Sequence, residues 1–153
     1  VLSAVRTTRA ALSHLLASRG HIVNIASLAG HAPARYMGAY GPSKAALVSY
    51  TRQLRLELAA KGLHVLLVSP GPIARATPRT YSAAEEASIP AEFLRPGGGV
   101  KTTAVSADWL VKRTLQACER REAEVTVPRS AKILFAIMQL APRWADAIVR
   151  KSS

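Results

Sequence analysis

Apolar residues in the first twenty positions recur at near-helical spacing. Leu2, Val5, Ala11, Leu12, Leu15 and Leu16 share one face, so the pattern predicts an amphipathic helix over 2–17, stopped by Gly20. The period then changes. "HIVNIAS", residues 21–27, is a short β-branched apolar run of strand length that closes at Ser27, followed by the loop "LAGHAPARYMG". A second long helix is predicted from about 41 to 61, with Pro42 tolerated in its first turn and Gly62 as its C-cap. "LHVLLVSPGP", residues 63–72, is the next strand, apolar on both faces and broken by Pro70, Gly71 and Pro72.

Helix, strand, helix, strand, with each strand an unalternating apolar run, predicts a parallel sheet covered by helices on both sides. The expected fold class is α/β. Residues 74–103 are polar and rich in Pro and Gly, with a short helix expected at 82–88, and they form an excursion from the core. A further amphipathic helix over 104–121, a third strand "AEVTVP" and two helical pieces over 130–150 split at Pro142 complete the chain. No internal repeat or internal domain boundary interrupts this order.

Composition narrows the picture. An apolar share of 49 % over 153 residues fits one globular domain, or a large piece of one. The longest apolar stretch, 133–141, is too short to span a bilayer and is flanked by Lys132 and Arg143. The first helix lacks an apolar core with a following cleavage site, so it does not read as an export signal. A single cysteine, Cys118, cannot form an internal disulfide and reads as a small buried side chain, which fits a reducing, cytoplasmic setting. The net charge of +12 raises nucleic acid as a partner. Its basic residues are dispersed, however, with adjacent pairs only at Lys112-Arg113, Arg120-Arg121 and Arg150-Lys151, and aromatic residues make up only 5 %. That is neither a phosphate-tracking stripe nor a stacking platform, so no nucleic-acid partner is expected.

In open α/β sheets ligands gather at the carboxyl ends of the strands. Ser27, Tyr40 and the turn at Pro70-Gly71-Pro72 all fall there, and Lys44 stands one helical turn after Tyr40 on the same face. A phenol ordinarily ionises near pH 10, and a neighbouring ammonium favours the phenolate. Lys44 would therefore tune Tyr40 as a proton donor, and the Ser27 hydroxyl could hold the oxygen that receives the proton. An isolated Tyr-x-x-x-Lys pair is also what a surface tyrosine beside a solvated lysine looks like. Tyr36, with Tyr40 rather than a lysine four residues on, reads as a loop or pocket-wall residue.

Taken together, "HIVNIASLAG", "AYGPSKAAL" and "VSPGPI" resemble, in order and spacing, the catalytic half of the short-chain dehydrogenase/reductase family, including the thirteen-residue interval from Ser27 to Tyr40. The resemblance implies a partial Rossmann-type doubly wound sheet and reversible hydride transfer between NAD(H) or NADP(H), NADP slightly favoured, and an alcohol/carbonyl pair. It also implies roles: Tyr40 as general acid/base, Ser27 orienting the substrate oxygen, Lys44 also bonding the nicotinamide ribose, and Pro70, Gly71, Pro72 and Ile73 lying against the nicotinamide. Asn24 matches a structural position. Leu28, Pro33 and Tyr36, with a lid over 77–103, would set the substrate. Helices 2–17 and 41–61 correspond to the family's dimer-forming pair, so homo-oligomerisation is expected.

Two departures stand out. Arg75 occupies the place where the family usually keeps a threonine, with Thr77 the nearest substitute. The family's glycine-rich phosphate loop, its ribose selector and its catalytic asparagine would all precede Val1. None of the nine glycines makes a G-x-G-x-x-G fingerprint, and Gly97-Gly98-Gly99 follows a polar loop. The chain is therefore expected to be the C-terminal part of a single domain, about three strands of seven, inactive alone. A scaffold remnant without activity is the alternative.

Remaining features have blander readings. His14, His21, His31 and His64 lie far apart in sequence without a cysteine or carboxylate at ligand spacing, so no metal site is expected. Glu85-Glu86 reads as a solvated helix start. The basic amphipathic stretch over 130–153, with Trp144 near its middle, reads as a helix pair that caps the fold or lines the pocket. The competing reading lays it on an anionic membrane surface.

Overall fold

The computed structural model describes residues 1–32, 37–74, 82 and 103–152. The chain runs α1 (Leu2–Ala17), β1 (His21–Ile25), a 3₁₀ turn (Leu28–Gly30), α2 (Tyr40–Leu58), a second 3₁₀ turn (Ala59–Lys61) and β2 (His64–Pro70). Then follow α3 (Ala107–Glu119), β3 (Glu124–Val127), α4 (Ala131–Leu140) and α5 (Pro142–Ser152). The three strands form one parallel sheet in the order β1-β2-β3. The expected α/β class and the expected order of elements both hold. The short helix expected at 82–88, Glu85-Glu86, Gly97-Gly98-Gly99 and the lid fall mostly or wholly outside the described residues.

Every residue of β2 is buried, which explains why its sequence shows no alternation. Its two faces meet different helices. Leu63 and Val65 join Ile22, Leu54 and Leu58 against Leu12, Leu15 and Leu16, so α1 and α2 cover one face. Leu66 and Val68 join Val125, Leu110 and Ala117 on the other face, under α3. Burying roughly 1.5–3 kcal/mol of side-chain hydrophobicity per large apolar residue on two faces makes β2 the centre of stability.

Helix ends differ from expectation in one respect. Gly20 does not itself stop α1: the helix ends at Ala17, and the left-handed residue is Arg19 (φ 48°), after which the Gly20 amide bonds to the Leu15 carbonyl. α3 ends in the same way on Arg121 (φ 50°). Gly62 is left-handed as expected (φ 77°), but it closes the 3₁₀ turn that follows α2.

A buried polar clamp fixes α2 on the sheet. The Asn24 amide donates to Thr51 Oγ1 at 3.0 Å, and Thr51 in turn donates to the Leu47 carbonyl. At the start of β3, Glu124 accepts from Arg52 (2.9 Å) and Arg55 (3.3 Å) of α2. Burial alone would raise the Glu124 carboxyl, but Arg52 and then Arg55 outweigh it, so its pKa lies below the ordinary 4.5. A depressed carboxylate adds stability that is complete above the ordinary value and lost as pH falls through the lowered one. Glu124→Gln should therefore lower unfolding stability at neutral pH by about 1 kcal/mol, a figure reduced because Arg52 is 43 % exposed. The variant should also flatten the acid limb of stability against pH below about 4.5, read by urea denaturation. An unchanged acid limb would remove Glu124 from this role.

Candidate active site

Ser27, Lys44, Tyr40 and the Pro70–Ile73 turn all lie beyond the carboxyl ends of β1 and β2. Ala26 extends the ladder by donating its amide to the Val68 carbonyl, and Ser27 follows in extended conformation. The Ser27 side chain caps the 3₁₀ turn, accepting from the Ala29 amide at 3.3 Å, and is half-buried together with Leu28. Tyr36 and Pro33 lie outside the described residues.

Tyr40 is the first residue of α2, one position earlier than the sequence predicts. Ala39 provides no side-chain cap, so the start is held by other bonds. The Tyr40 amide donates to the Met37 carbonyl, and the Ser43 hydroxyl donates to the Tyr40 carbonyl at 2.7 Å. Pro42 adds no unsatisfied donor there. One turn on, the Lys44 ammonium lies 5.7 Å from the centroid of the Tyr40 ring and donates to the Ile25 carbonyl at 3.0 Å. That bond ties α2 to the end of β1, two residues before Ser27. It uses one of the three ammonium protons and leaves two for other acceptors. The Tyr40 side chain is 44 % exposed, open to a molecule arriving from solvent.

Two glycines let these pieces approach. A Cβ built on Gly30 would lie 2.8 Å from the Lys44 carbonyl carbon and 2.9 Å from its oxygen, so the Ser27 turn rests directly on the α2 backbone at Lys44. Gly41, buried in the first turn of α2, faces the Ala29 carbonyl. Sequence reading passes over Gly30, because a close approach between segments 14 residues apart leaves only a bare "AG" in the sequence.

The turn after β2 is pinned on both sides. The Gly71 amide donates to the Val127 carbonyl, while Pro72 and Ala74 bond through their carbonyl and amide to Val105. Since the bridge uses Pro72 and Ala74, the amide and carbonyl of Ile73 point away from Val105, and neither has a backbone partner among the described residues. An amide-bearing ring could pair with that free donor and acceptor.

The C-terminal helix α4 packs beside the 3₁₀ turn at His31. Phe135 of α4 stacks on His31 (4.5 Å, 13°), and His31 shares a 2.9 Å hydrogen bond with Ser69. Burial, then Arg52, keeps His31 below its ordinary pKa. His31 and Phe135 line a groove of about 370 Å³ with Gly30, Ser49, Arg52 and Gln139, and none of Ser27, Tyr40 or Lys44 borders it. That groove is separate from the Tyr40 end.

Residues 1–87 match the model of the short chain dehydrogenase family. The chain belongs to that family. It is similar to ketoacyl reductase HetN of Nostoc sp. (31 % identical over 98 % of this chain and 50 % of the relative). It is also similar to 11-beta-hydroxysteroid dehydrogenase 1A of Arabidopsis thaliana (33 % over 93 % of this chain and 41 % of the relative). Among solved structures, a short chain dehydrogenase from Burkholderia cenocepacia in complex with NADP superposes with a TM-score of 0.70 at 23 % identity, covering 95 % of this chain and 53 % of that one. A short-chain dehydrogenase from Sphingobium yanoikuyae in complex with NADPH gives 0.67 at 24 %, covering 96 % and 53 %. These likenesses establish the fold. The chain spans about half the length of the relatives it matches.

The four histidines require a correction to the sequence reading. They are far apart in sequence, but the parallel register sets His21 directly opposite His64, and their Nδ1 atoms are 2.8 Å apart. Cys118 joins them, with the three ligand-type atoms all within 4.8 Å of one another. The absence of ligand spacing along the chain therefore does not hold in space.

Proposed function

We propose that this chain forms the substrate-oxidising and -reducing half of an NAD(P)-dependent short-chain oxidoreductase, with Tyr40 as the general acid/base. The observation that carries the reading is the Lys44 ammonium, fixed to the Ile25 carbonyl while it lies over the Tyr40 ring. When bound, the nicotinamide cofactor supplies or accepts the hydride. On the reductive side Tyr40 would give its phenolic proton to the carbonyl oxygen of a ketone that becomes an alcohol. The Ser27 hydroxyl orients that oxygen. Lys44 balances the charge left on Tyr40 and offers its spare protons to ribose hydroxyls. The amide and carbonyl of Ile73, without a backbone partner among the described residues, would hold the carboxamide, with Pro70, Gly71 and Pro72 forming the turn that carries them.

The relatives' names span ketoacyl and hydroxysteroid substrates, so an alcohol or ketone on a bulky apolar frame is the substrate class favoured, met by Ser27, Leu28 and Tyr36. The cofactor is NAD or NADP, since solved neighbours are named in complex with NADP, NADPH and NADH alike. Residues 1–153 would be the C-terminal part of one dinucleotide-binding domain, paired with a second copy through α1 and α2. A second reading, membrane-surface contact, rests on Ile133, Leu140 and Trp144, which stay exposed on the basic C-terminal helices. No helix among the described residues is long and apolar enough to cross a membrane.

The test joins residues 1–153 to the glycine-rich N-terminal half of an NADPH-binding relative. The chimera should oxidise NADPH in the presence of a bulky ketone. Residues 1–153 alone should bind NADPH more weakly than about micromolar, since they carry no phosphate-cradling glycine loop. A folded chimera that binds NADPH but reduces no ketone would overturn the proposal.

A further inference from the structure

The structure assigns a transition-metal site to the amino-terminal end of the sheet, formed by His21, His64 and Cys118 and selective for a borderline-soft divalent ion such as zinc. It lies at the opposite end of the strands from Tyr40, with the roughly 13 Å length of β1 between the two ends, and owes nothing to hydride chemistry.

The register builds it. His21 and His64 are the first residues of adjacent parallel strands and directly paired, so both side chains leave the same face of the sheet. That is the face covered by α3, because Leu66 and Val68, in step with His64, pack on Leu110 and Ala117. Cys118 sits beside Ala117 in the last turn of α3 and packs against the same cluster. Three soft or borderline donors from three separate elements thus converge within 4.8 Å, and no other such group of His, Cys, Asp or Glu forms among the described residues.

The outer contacts also suit a metal. His64 is buried, and its Nε2 is 2.8 Å from the Glu122 carbonyl, which can only accept. His64 therefore carries its proton on Nε2 and turns a bare Nδ1 lone pair toward His21. A ligating histidine is typically oriented in this way, by donating its second N–H to a backbone carbonyl. Without metal, the His21 Nδ1–H donates to that lone pair at 2.8 Å. An ion replaces that proton, and His21 moves its hydrogen to Nε2, which is exposed to water. Tetrahedral zinc with Zn–N near 2.0–2.1 Å and Zn–S near 2.3 Å spaces its ligand atoms by about 3.3–3.6 Å. The histidine nitrogens must therefore part slightly and the sulfur close by about 1 Å, both side-chain adjustments. His21 is exposed, so water can enter and take the fourth position. Two imidazoles and a thiolate exclude magnesium and calcium, which prefer oxygen.

The experiment titrates the 153-residue chain with Co²⁺, then Zn²⁺, under a non-chelating reductant. One Co²⁺ per chain should bind with a thiolate-to-cobalt absorption band, and one Zn²⁺ should displace it and raise Tm. Cys118→Ser should abolish the band, and His21→Gln, at an exposed position, should weaken Zn²⁺ binding at least about tenfold. Both variants should retain the wild-type circular dichroism. His14→Gln should bind as the wild type does. Absence of a thiolate band in the wild type, or Zn²⁺ affinity unchanged by His21→Gln, would overturn the assignment. Should Cys118→Ser fail to fold, protection of the Cys118 thiol from alkylation by stoichiometric Zn²⁺ decides the same question.

Discussion

Tyr40→Phe, made in the NADPH-binding chimera, should lower kcat by about 10³-fold while leaving cofactor affinity and Tm near their starting values. The size follows from what the hydroxyl does: removing a positioned general acid typically costs about 10²–10⁴-fold. The selectivity follows from what it does not do. The Tyr40 side chain is 44 % exposed at the start of α2, and the bonds holding that helix start involve the Tyr40 backbone and Ser43. Loss of one exposed hydroxyl should change stability by no more than about 0.5 kcal/mol. The ring remains for the Lys44 ammonium to rest on, so Lys44 keeps its bond to the Ile25 carbonyl. Steady-state kinetics with one ketone, cofactor binding by fluorescence and a thermal melt separate the three effects. Turnover within a few-fold of wild type would remove Tyr40 from the chemistry and, with it, the reason for placing Lys44 there.

How far the sequence carries this far depends on the range of the interaction. Strand β2 is legible because a parallel strand buried on both faces reads as a near-continuous apolar run, and in "HVLLVSP" only His64 and Ser69 interrupt it, while β1, whose burial alternates, is legible from its β-branched Ile22, Val23 and Ile25. The Tyr40–Lys44 pair is legible because a helix fixes i and i+4 on one face. By contrast, His21 and His64 are 43 residues apart and meet only through the strand register, which no local pattern encodes. The end of α1 departs from expectation for a local reason. A glycine just past a helix suggests the left-handed position, yet Gly20 lies three residues beyond Ala17 and Arg19 takes that position, held by hydrogen bonds to the Leu15 and Leu16 carbonyls. Cys118 was expected as a buried small side chain and is only partly so, since its turn of α3 faces the strand starts rather than the middle of the sheet.

Gly30→Ala tests whether the Ser27 turn and α2 form one unit. The added methyl would lie 2.8 and 2.9 Å from the carbonyl carbon and oxygen of Lys44 and 3.1 Å from the Ala45 amide nitrogen, all backbone atoms in a helix. No side-chain rotation relieves that contact. Either the turn lifts or α2 shifts, and overpacking of this kind costs about 1–3 kcal/mol. The displacement also separates the groups proposed to act together, since Ser27 caps the turn and Tyr40 and Lys44 ride on the helix. In the chimera, kcat should therefore fall by about tenfold or more, a misplacement effect without loss of any reacting group. Gly41→Ala is the matched control: its methyl would meet the Ala29 carbonyl at 3.4 Å, an ordinary contact, and alanine favours a helix over glycine by up to about 1 kcal/mol. Urea unfolding of both variants and kcat of both chimeras should separate them, with Gly30→Ala impaired in each measurement and Gly41→Ala near wild type. Equal behaviour of the two would mean that the turn yields easily, and that Ser27 is not held against Tyr40 by this contact.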